Sequence, residues 1–218
     1  LVLAALPWIW AAGVLACTLW QWARYLRFAR GLRRLSAPAQ EEREALWQEV
    51  CAQASMARAP RLRVCPGLAG PVMTGLVRPV LYLPEGMPLA RLELALRHEA
   101  AHLSRGDLWA KALVRWCCRL HWFNPLCALQ EGRWSRACEY ACDEKAAAGL
   151  GEADRLTYGL LLLDAAQSRP LPAGAAGLGG SKKELQARLA ALLHPAAPGR
   201  RLTAGVAAAL AAALCLTA

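Results

Sequence analysis

Charge is missing from both ends of this chain of 218 residues. All 26 Lys and Arg and all 16 Asp and Glu lie between Arg24 and Arg201, so residues 1–23 and 202–218 carry none. An ordinary soluble domain carries charge over its whole surface, so this distribution excludes that class. The cations gather beside the uncharged ends and not along a groove with aromatic side chains. Direct nucleic-acid binding is therefore not expected, in spite of a net charge of +10.

The uncharged first segment, residues 1–23, is long enough to cross a bilayer at about 1.5 Å per residue. Trp20 and Trp22 lie near its end, and five arginines follow between Arg24 and Arg34. Cations on that side mark the cytoplasmic face, so we predict a transmembrane helix over 1–23 that runs from outside to inside. A cleaved signal peptide would carry its cations before the apolar run. Since no Met begins the chain, we expect a fragment of a longer protein.

The uncharged last segment, residues 202–218, follows Arg200 and Arg201 and is at the short limit for a membrane span. We predict a second, truncated transmembrane helix there; a buried Ala-rich helix of a soluble core is the alternative. Basic residues at both inner flanks predict a multi-pass membrane protein with its middle on the cytoplasmic side. The nine cysteines are then expected to be reduced thiols.

Between the two ends, the pattern predicts a mostly helical α+β domain with a small β-sheet. Three short apolar runs at 62–65, 72–74 and 80–83 are separated by Gly and Pro and are predicted to be strands. Helices are expected over about 38–56 and 89–104. We assign residues 24–169 to one cytoplasmic domain and 170–201 to a flexible linker, 170–180, followed by a short amphipathic helix, 181–193.

The apolar stretch 108–129 resembles a third span, but Lys111, Arg115 and Arg119 recur every four residues. That spacing places three cations in one stripe on a helix, which favours an amphipathic helix at a membrane surface or against the core. Asn124 and Pro125 supply an N-cap and a first-turn proline, so a new helix is predicted to begin there.

His98-Glu99-Ala100-Ala101-His102 is an H-E-x-x-H sequence within a predicted helix. Histidines four residues apart lie on one face of a helix, and their nitrogens can share one Zn²⁺. Glu99 lies beside the same site, where its carboxylate can take a proton from water and pass it to a leaving amine. We therefore predict a catalytic zinc site with Glu99 as general base; two surface histidines are the alternative.

A catalytic zinc needs a third protein ligand, and Glu139 is the best candidate. Asp143 follows it at helical spacing and is expected to accept the free N–H of a ligating histidine. Such carboxylate pairs are also common on solvated helix faces. Asp107 is predicted either to cap the next helix or, as the second choice, to accept a hydrogen bond from a ligand. His121 is expected to orient a helix start.

Cys138 and Cys142 are four residues apart, but no CxxC pair accompanies them, so a soft-metal site is not favoured. The strand predicted at 80–83 directly precedes the zinc helix. We therefore hypothesise that an extended peptide pairs with this strand and presents its carbonyl to the zinc; a central position in the sheet would exclude it.

Four ordered motifs resemble the BlaR/MecR-type membrane metallopeptidases. They are RPVLYLP at 78–84, LRHEAAHL at 96–103 with Asp107, HWFNP at 121–125 and EYACDE at 139–144. The resemblance implies a gluzincin-like zinc peptidase domain on the cytoplasmic face of a bacterial membrane, between two transmembrane helices. It implies His98, His102 and Glu139 as ligands, with Asp143 as the partner of a histidine.

The resemblance also implies an antirepressor role in signal transduction. Signalling members cleave themselves, and their activation leads to loss of a DNA-bound repressor. We therefore expect a protein substrate, with a winged-helix repressor as a candidate, contact with membrane lipid, and a homodimer as the oligomer to consider. The alternatives are a regulatory transmembrane module with a structural zinc site, and a membrane protease of the prenyl-protein or stress-response type.

Overall fold

The computed structural model describes residues 2–166 and 182–193, so the linker predicted at 170–180 and the helix predicted at 202–218 lie outside the described residues. The first element, α1 (Val2–Leu35), continues beyond the predicted 1–23 through the arginine run. At about 1.5 Å per residue its 34 residues extend roughly 51 Å. Among the described residues, one helix is apolar and long enough to span a membrane, and it covers Leu3–Leu35.

A four-stranded mixed sheet follows α1, with α2 (Glu41–Gln53) inserted after its first short strand. The spatial order is β1-β2-β4-β3, with β2 and β4 parallel and the other two pairs antiparallel. The strands are β1 (Ala37–Pro38), β2 (Arg61–Cys65), β3 (Val72–Thr74) and β4 (Val80–Pro84). The three predicted strands are confirmed, and β1 was not predicted.

The hypothesis that a peptide pairs with the strand at 80–83 is wrong. Strand β4 lies between β2 and β3, and both of its edges are already hydrogen-bonded. Strand order differs from chain order because the connection from β2 to β4 crosses over and leaves β3 on the outside.

Five further helices complete the described fold. They are α3 (Leu89–Ser104), α4 (Asp107–Leu120), α5 (Pro125–Ala146), α6 (Glu152–Ala166) and α7 (Lys182–Leu193). Helix α3 has the predicted bounds, and α5 begins at the predicted cap, where the Asn124 side chain accepts a hydrogen bond from the Leu126 N–H. Helix α6 was not predicted.

Helix α3 lies at the centre because its two sides enter different cores. Leu92 and Leu96 pack with Trp47 of α2 and Leu81 of the sheet. Leu94, on another side, packs with residues of α6 and α7 in a second core. Burial on both sides fixes the rotation of α3 about its axis, which in turn fixes where its polar residues point.

Candidate metal centre

Helix α3 holds the H-E-x-x-H residues inside the protein. His98, Glu99 and His102 are 1%, 1% and 4% exposed, so the alternative of two surface histidines is wrong. The two imidazole rings meet edge to face, with their centroids 4.8 Å apart. Buried polar side chains need partners, so the surroundings of these three residues decide what the site can bind.

Helix α5 brings the Glu139 carboxylate to both histidines. His98 Nε2 lies 3.5 Å from Glu139 Oε2, and His102 Nε2 lies 3.5 Å from Glu139 Oε1. Two ligands about 2.0–2.1 Å from a tetrahedral Zn²⁺ are roughly 3.3–3.4 Å apart. The spacing of these three residues, whose ligand atoms all lie within 4.8 Å of one another, therefore fits one zinc ion.

The Glu99 carboxylate supports a bound cation. Glu99 Oε2 is buried and has no hydrogen-bond donor within the described part of the chain, whereas Glu139 Oε2 already lies 3.4 Å from Arg188 Nη1 and 3.5 Å from His98 Nε2. An unsatisfied buried carboxylate oxygen is costly, and a metal ion or the water it holds would satisfy it.

The charges around His98 favour a cation in the same place. Burial lowers the pKa of His98, but the Asp143 and Glu139 carboxylates outweigh burial and raise the pKa to about 9. Burial raises the pKa of Glu139, yet hydrogen bonds with the two histidines hold it well below its ordinary value. A metal ion that takes these ligands therefore competes with a proton on His98, and its binding should release that proton.

The second nitrogen of His98 is held by two side chains. His98 Nδ1 lies 2.7 Å from the Tyr158 hydroxyl and 3.2 Å from Asp143 Oδ1. The Tyr158 hydroxyl donates to Asp143 Oδ1 at 2.8 Å. Because Nδ1 is engaged on this side, Nε2 faces Glu139 and the candidate metal position.

The second nitrogen of His102 contacts Asp107 Oδ2 at 2.9 Å. The preferred prediction, that Asp107 caps α4, is wrong: Gly106 occupies the cap position, and Asp107 is the first residue of the helix. Gly106 has φ of 71°, a conformation that favours glycine, and this turn carries the Asp107 side chain back onto α3. The second choice for Asp107, acceptor to a candidate ligand, agrees with this contact.

Two cations neutralise the carboxylates of α5. Lys111 Nζ donates to Glu139 Oε1 at 3.0 Å. Arg188 of α7 donates from Nε to Asp143 Oδ2 at 2.6 Å and from a terminal nitrogen to Oδ1 at 2.7 Å, and it is 3% exposed. The cluster therefore contains buried charges of both signs, each beside an opposite charge.

A sequence profile of the family described as BlaR1 peptidase M56 matches residues 2–192. The chain belongs to this family. No individually curated protein matches it. The M56 family is one of metal-dependent peptidases, so this chain is a peptidase by family, and the resemblance drawn from its four motifs is confirmed.

Three residues of the candidate metal centre were not assigned to it from the sequence: Lys111, Tyr158 and Arg188. Tyr158 and Arg188 share a recognisable signal, because each is the polar member of an otherwise apolar helix face. Tyr158 precedes Leu161 and Leu162 on α6, and Arg188 lies between Leu185 and Leu192 on α7, all of them buried. A hydrogen-bonding residue on a core-facing stripe predicts a buried polar partner.

Of the remaining candidate residues, Cys142 lies beside the metal centre and His121 lies at the end of α4. Cys142 Sγ lies 3.1 Å from Asp107 Oδ2, and His102, Asp107 and Cys142 form a second group that could hold a metal. Burial and the Asp107 carboxylate raise the pKa of the Cys142 thiol well above its ordinary value, and this thiol donates to Asp107 Oδ2. His121 is the C-cap of α4, with Nδ1 3.1 Å from the Cys117 carbonyl oxygen.

Proposed function

We propose that this chain is a zinc metalloendopeptidase in which His98, His102 and Glu139 hold the metal and Glu99 is the general base. The observation that carries the proposal is the convergence of two Nε2 atoms and one carboxylate at mutual spacings that suit tetrahedral zinc. Membership of a family of metal-dependent peptidases supports it independently.

Bound zinc would polarise a water molecule and the scissile carbonyl, and would bring the pKa of that water towards neutrality. Glu99 takes the proton of the water and returns it to the leaving amine nitrogen. Burial raises the pKa of Glu99, although His102 and His98 act to lower it. A raised pKa suits a group that must both accept and release a proton near neutral pH.

The groups behind the histidines keep the two Nε2 atoms in place. Asp107 orients His102, while Asp143 and Tyr158 orient His98. Arg188 fixes Asp143 through two hydrogen bonds, so the position of α7 contributes to the order of the site. Glu99 Oε2 also favours an enzyme over a structural zinc site, because a structural site gains nothing from a buried carboxylate oxygen without a hydrogen bond.

We further propose that α1 anchors the peptidase in a bacterial inner membrane with the metal centre on the cytoplasmic side. The arginines that follow its apolar part support that orientation. The substrate class is a peptide bond in the chain itself or in a cytosolic winged-helix repressor, and its cleavage would relay a signal. The membrane orientation and the substrate class rest on the family and on the transmembrane helix predicted over 202–218.

The test is the rate of self-cleavage, and of cleavage of an added winged-helix repressor, after reconstitution with zinc in liposomes. Glu99→Gln should lower either rate by about 10²–10⁴-fold and leave zinc content at one ion per chain, because the base is not a ligand. Glu93→Gln is the matched control: Glu93 lies on the same helix but pairs with Arg97 at the surface. Unchanged cleavage by Glu99→Gln would exclude the proposed mechanism.

A further inference from the structure

The connection between α4 and α5 exposes a cluster of large apolar side chains. We call residues 116–129 the α4–α5 tip. Its exposed members are Trp116 (52%), Trp122 (43%), Phe123 (61%), Leu126 (57%) and Leu129 (50%). No Asp, Glu, Lys or Arg occurs between Leu120 and Gln130. A contiguous apolar surface of this kind marks a contact with something other than water.

The tip packs against α1 in the middle of its uncharged segment. The Trp10 indole N–H donates to the Leu120 carbonyl oxygen at 2.7 Å, and the Trp122 indole N–H donates to the Trp10 carbonyl oxygen at 3.4 Å. A Cβ added to Gly13 would lie 2.3 Å from the Trp122 ring, so glycine permits this approach. The apolar surface of the tip is therefore continuous with that of α1.

Helix geometry gives the depth of the tip. Trp10 precedes Arg24 by 14 residues, or about 21 Å along α1. The hydrocarbon layer of a bilayer is about 30 Å thick. If Arg24 lies at the cytoplasmic interface, the tip reaches past the middle of the membrane without crossing it.

The cations of α4 point away from lipid. Arg119 donates to Gln21 Oε1 at 2.5 Å, near the interface end of α1, and Arg115 donates to Glu131 of α5 at 2.9 Å. With Lys111 on Glu139, all three cations of the predicted stripe are paired within the protein. Trp109, Leu113 and Trp116 remain on the exposed face of α4. This arrangement is the reverse of an amphipathic helix in water.

Most backbone N–H groups of the turn at the tip have internal hydrogen-bond partners, which a hydrocarbon environment requires. The N–H groups of His121, Trp122 and Asn124 donate to carbonyl oxygens, and the Leu126 N–H donates to the Asn124 side chain. Non-helical backbone at membrane depth is tolerated where its polar groups are satisfied within the protein.

We propose that the α4–α5 tip is a re-entrant membrane hairpin whose partner is the acyl chains of the bilayer. The inference rests on the proposed insertion of α1. Lys111 lies nine residues before Leu120, so about 14 Å of helix separates the metal centre from the tip, against about 21 Å between Trp10 and Arg24. The metal centre is thereby held just inside the level of Arg24, next to the cytoplasmic interface, by two contacts with lipid, α1 and the hairpin.

The experiment is photo-crosslinking of the whole chain in lipid nanodiscs, with p-benzoylphenylalanine at one position at a time. Leu126 tests the hairpin, and Phe123 (61% exposed) repeats the test with a substitution close in shape. Two leucines of α1 with similar exposure serve as controls: Leu15 (59%) within the apolar segment, and Leu35 (66%) beyond the arginines. Each variant is checked for bound zinc, which reports the fold independently of the membrane.

Lipid adducts should form at Leu126 and Phe123 as efficiently as at Leu15, and roughly tenfold above Leu35. Adducts at Leu15 but only background at both tip positions would overturn the hairpin alone. Adducts between two chains at the tip would instead assign the surface to a dimer and also overturn it. Background at Leu15 as well would overturn the membrane placement of α1 and the hairpin with it, while zinc content and self-cleavage test the peptidase separately.

Discussion

The two ends of α5 reverse the usual relation between residue type and burial. At its C-terminal end Glu139 and Asp143 are 7% and 4% exposed, whereas at its N-terminal end Leu126 and Leu129 are 57% and 50% exposed. The buried carboxylates have partners in histidines, Lys111 and Arg188. The exposed leucines belong to the α4–α5 tip, whose Trp122 contacts α1. Burial along α5 therefore follows the local partners of each segment, a candidate metal centre at one end and the proposed lipid contact at the other.

The largest effect is expected from removing Arg188 of α7, the partner of the buried Asp143. Arg188→Ala leaves the Asp143 carboxylate buried without its main partner and should lower the free energy of unfolding by about 3–5 kcal/mol. Arg91→Ala is the control, because the Arg91–Asp164 pair has 42% and 54% exposed side chains and should contribute under about 1 kcal/mol. Thermal unfolding of zinc-free protein in nanodiscs measures both, and equal losses would contradict the difference between buried and exposed pairs.

A charge introduced at the exposed end of α5 should also be destabilising, because this end is proposed to lie in lipid. Leu126→Asp places a carboxylate at membrane depth and should cost about 2.5–3.5 kcal/mol of stability in nanodiscs. At a water-exposed position such a change stays within about 0.5 kcal/mol, which is the expectation for Leu35→Asp at 66% exposure. Similar small effects at both positions would show that the tip faces water.

A smaller effect is expected from the group that orients His102. Asp107→Asn keeps the size of the side chain but weakens its contact with His102 Nδ1, and zinc affinity should fall about 10–100-fold. Competition with a chelator of known affinity measures the change. Asp154→Asn, at an exposed position of α6, serves as control, and equal affinities for the two variants would remove Asp107 from the support of the metal centre.

Sequence patterns were informative where one local feature determines an element. Pro88 and Gly106 flank α3, and Asn124 with Pro125 begins α5, so these bounds were predictable. The H-E-x-x-H spacing indicated that His98 and His102 share a helix face. Glu139 was expected to join these histidines, and it lies beside them because α5 packs against α3.

Other features depend on contacts between distant segments and could not be predicted. The order of β3 and β4 follows from a crossover, so the hypothesis of an edge strand at 80–83 failed. For Asp107 the acceptor role was only the second choice, because the left-handed backbone at Gly106, which no local preference of Asp reveals, decides against the cap. The cation stripe beginning at Lys111 was predicted as a stripe, but its acidic partners lie on another helix.

The most direct test of the metal centre is the zinc X-ray absorption spectrum of the purified chain loaded with one equivalent of zinc. The account predicts two imidazole nitrogens at about 2.0–2.1 Å and oxygen at about 2.0–2.2 Å, from His98, His102 and Glu139, with no sulfur. A sulfur contribution at about 2.3 Å would contradict it, because it would assign the zinc to the group that contains Cys142.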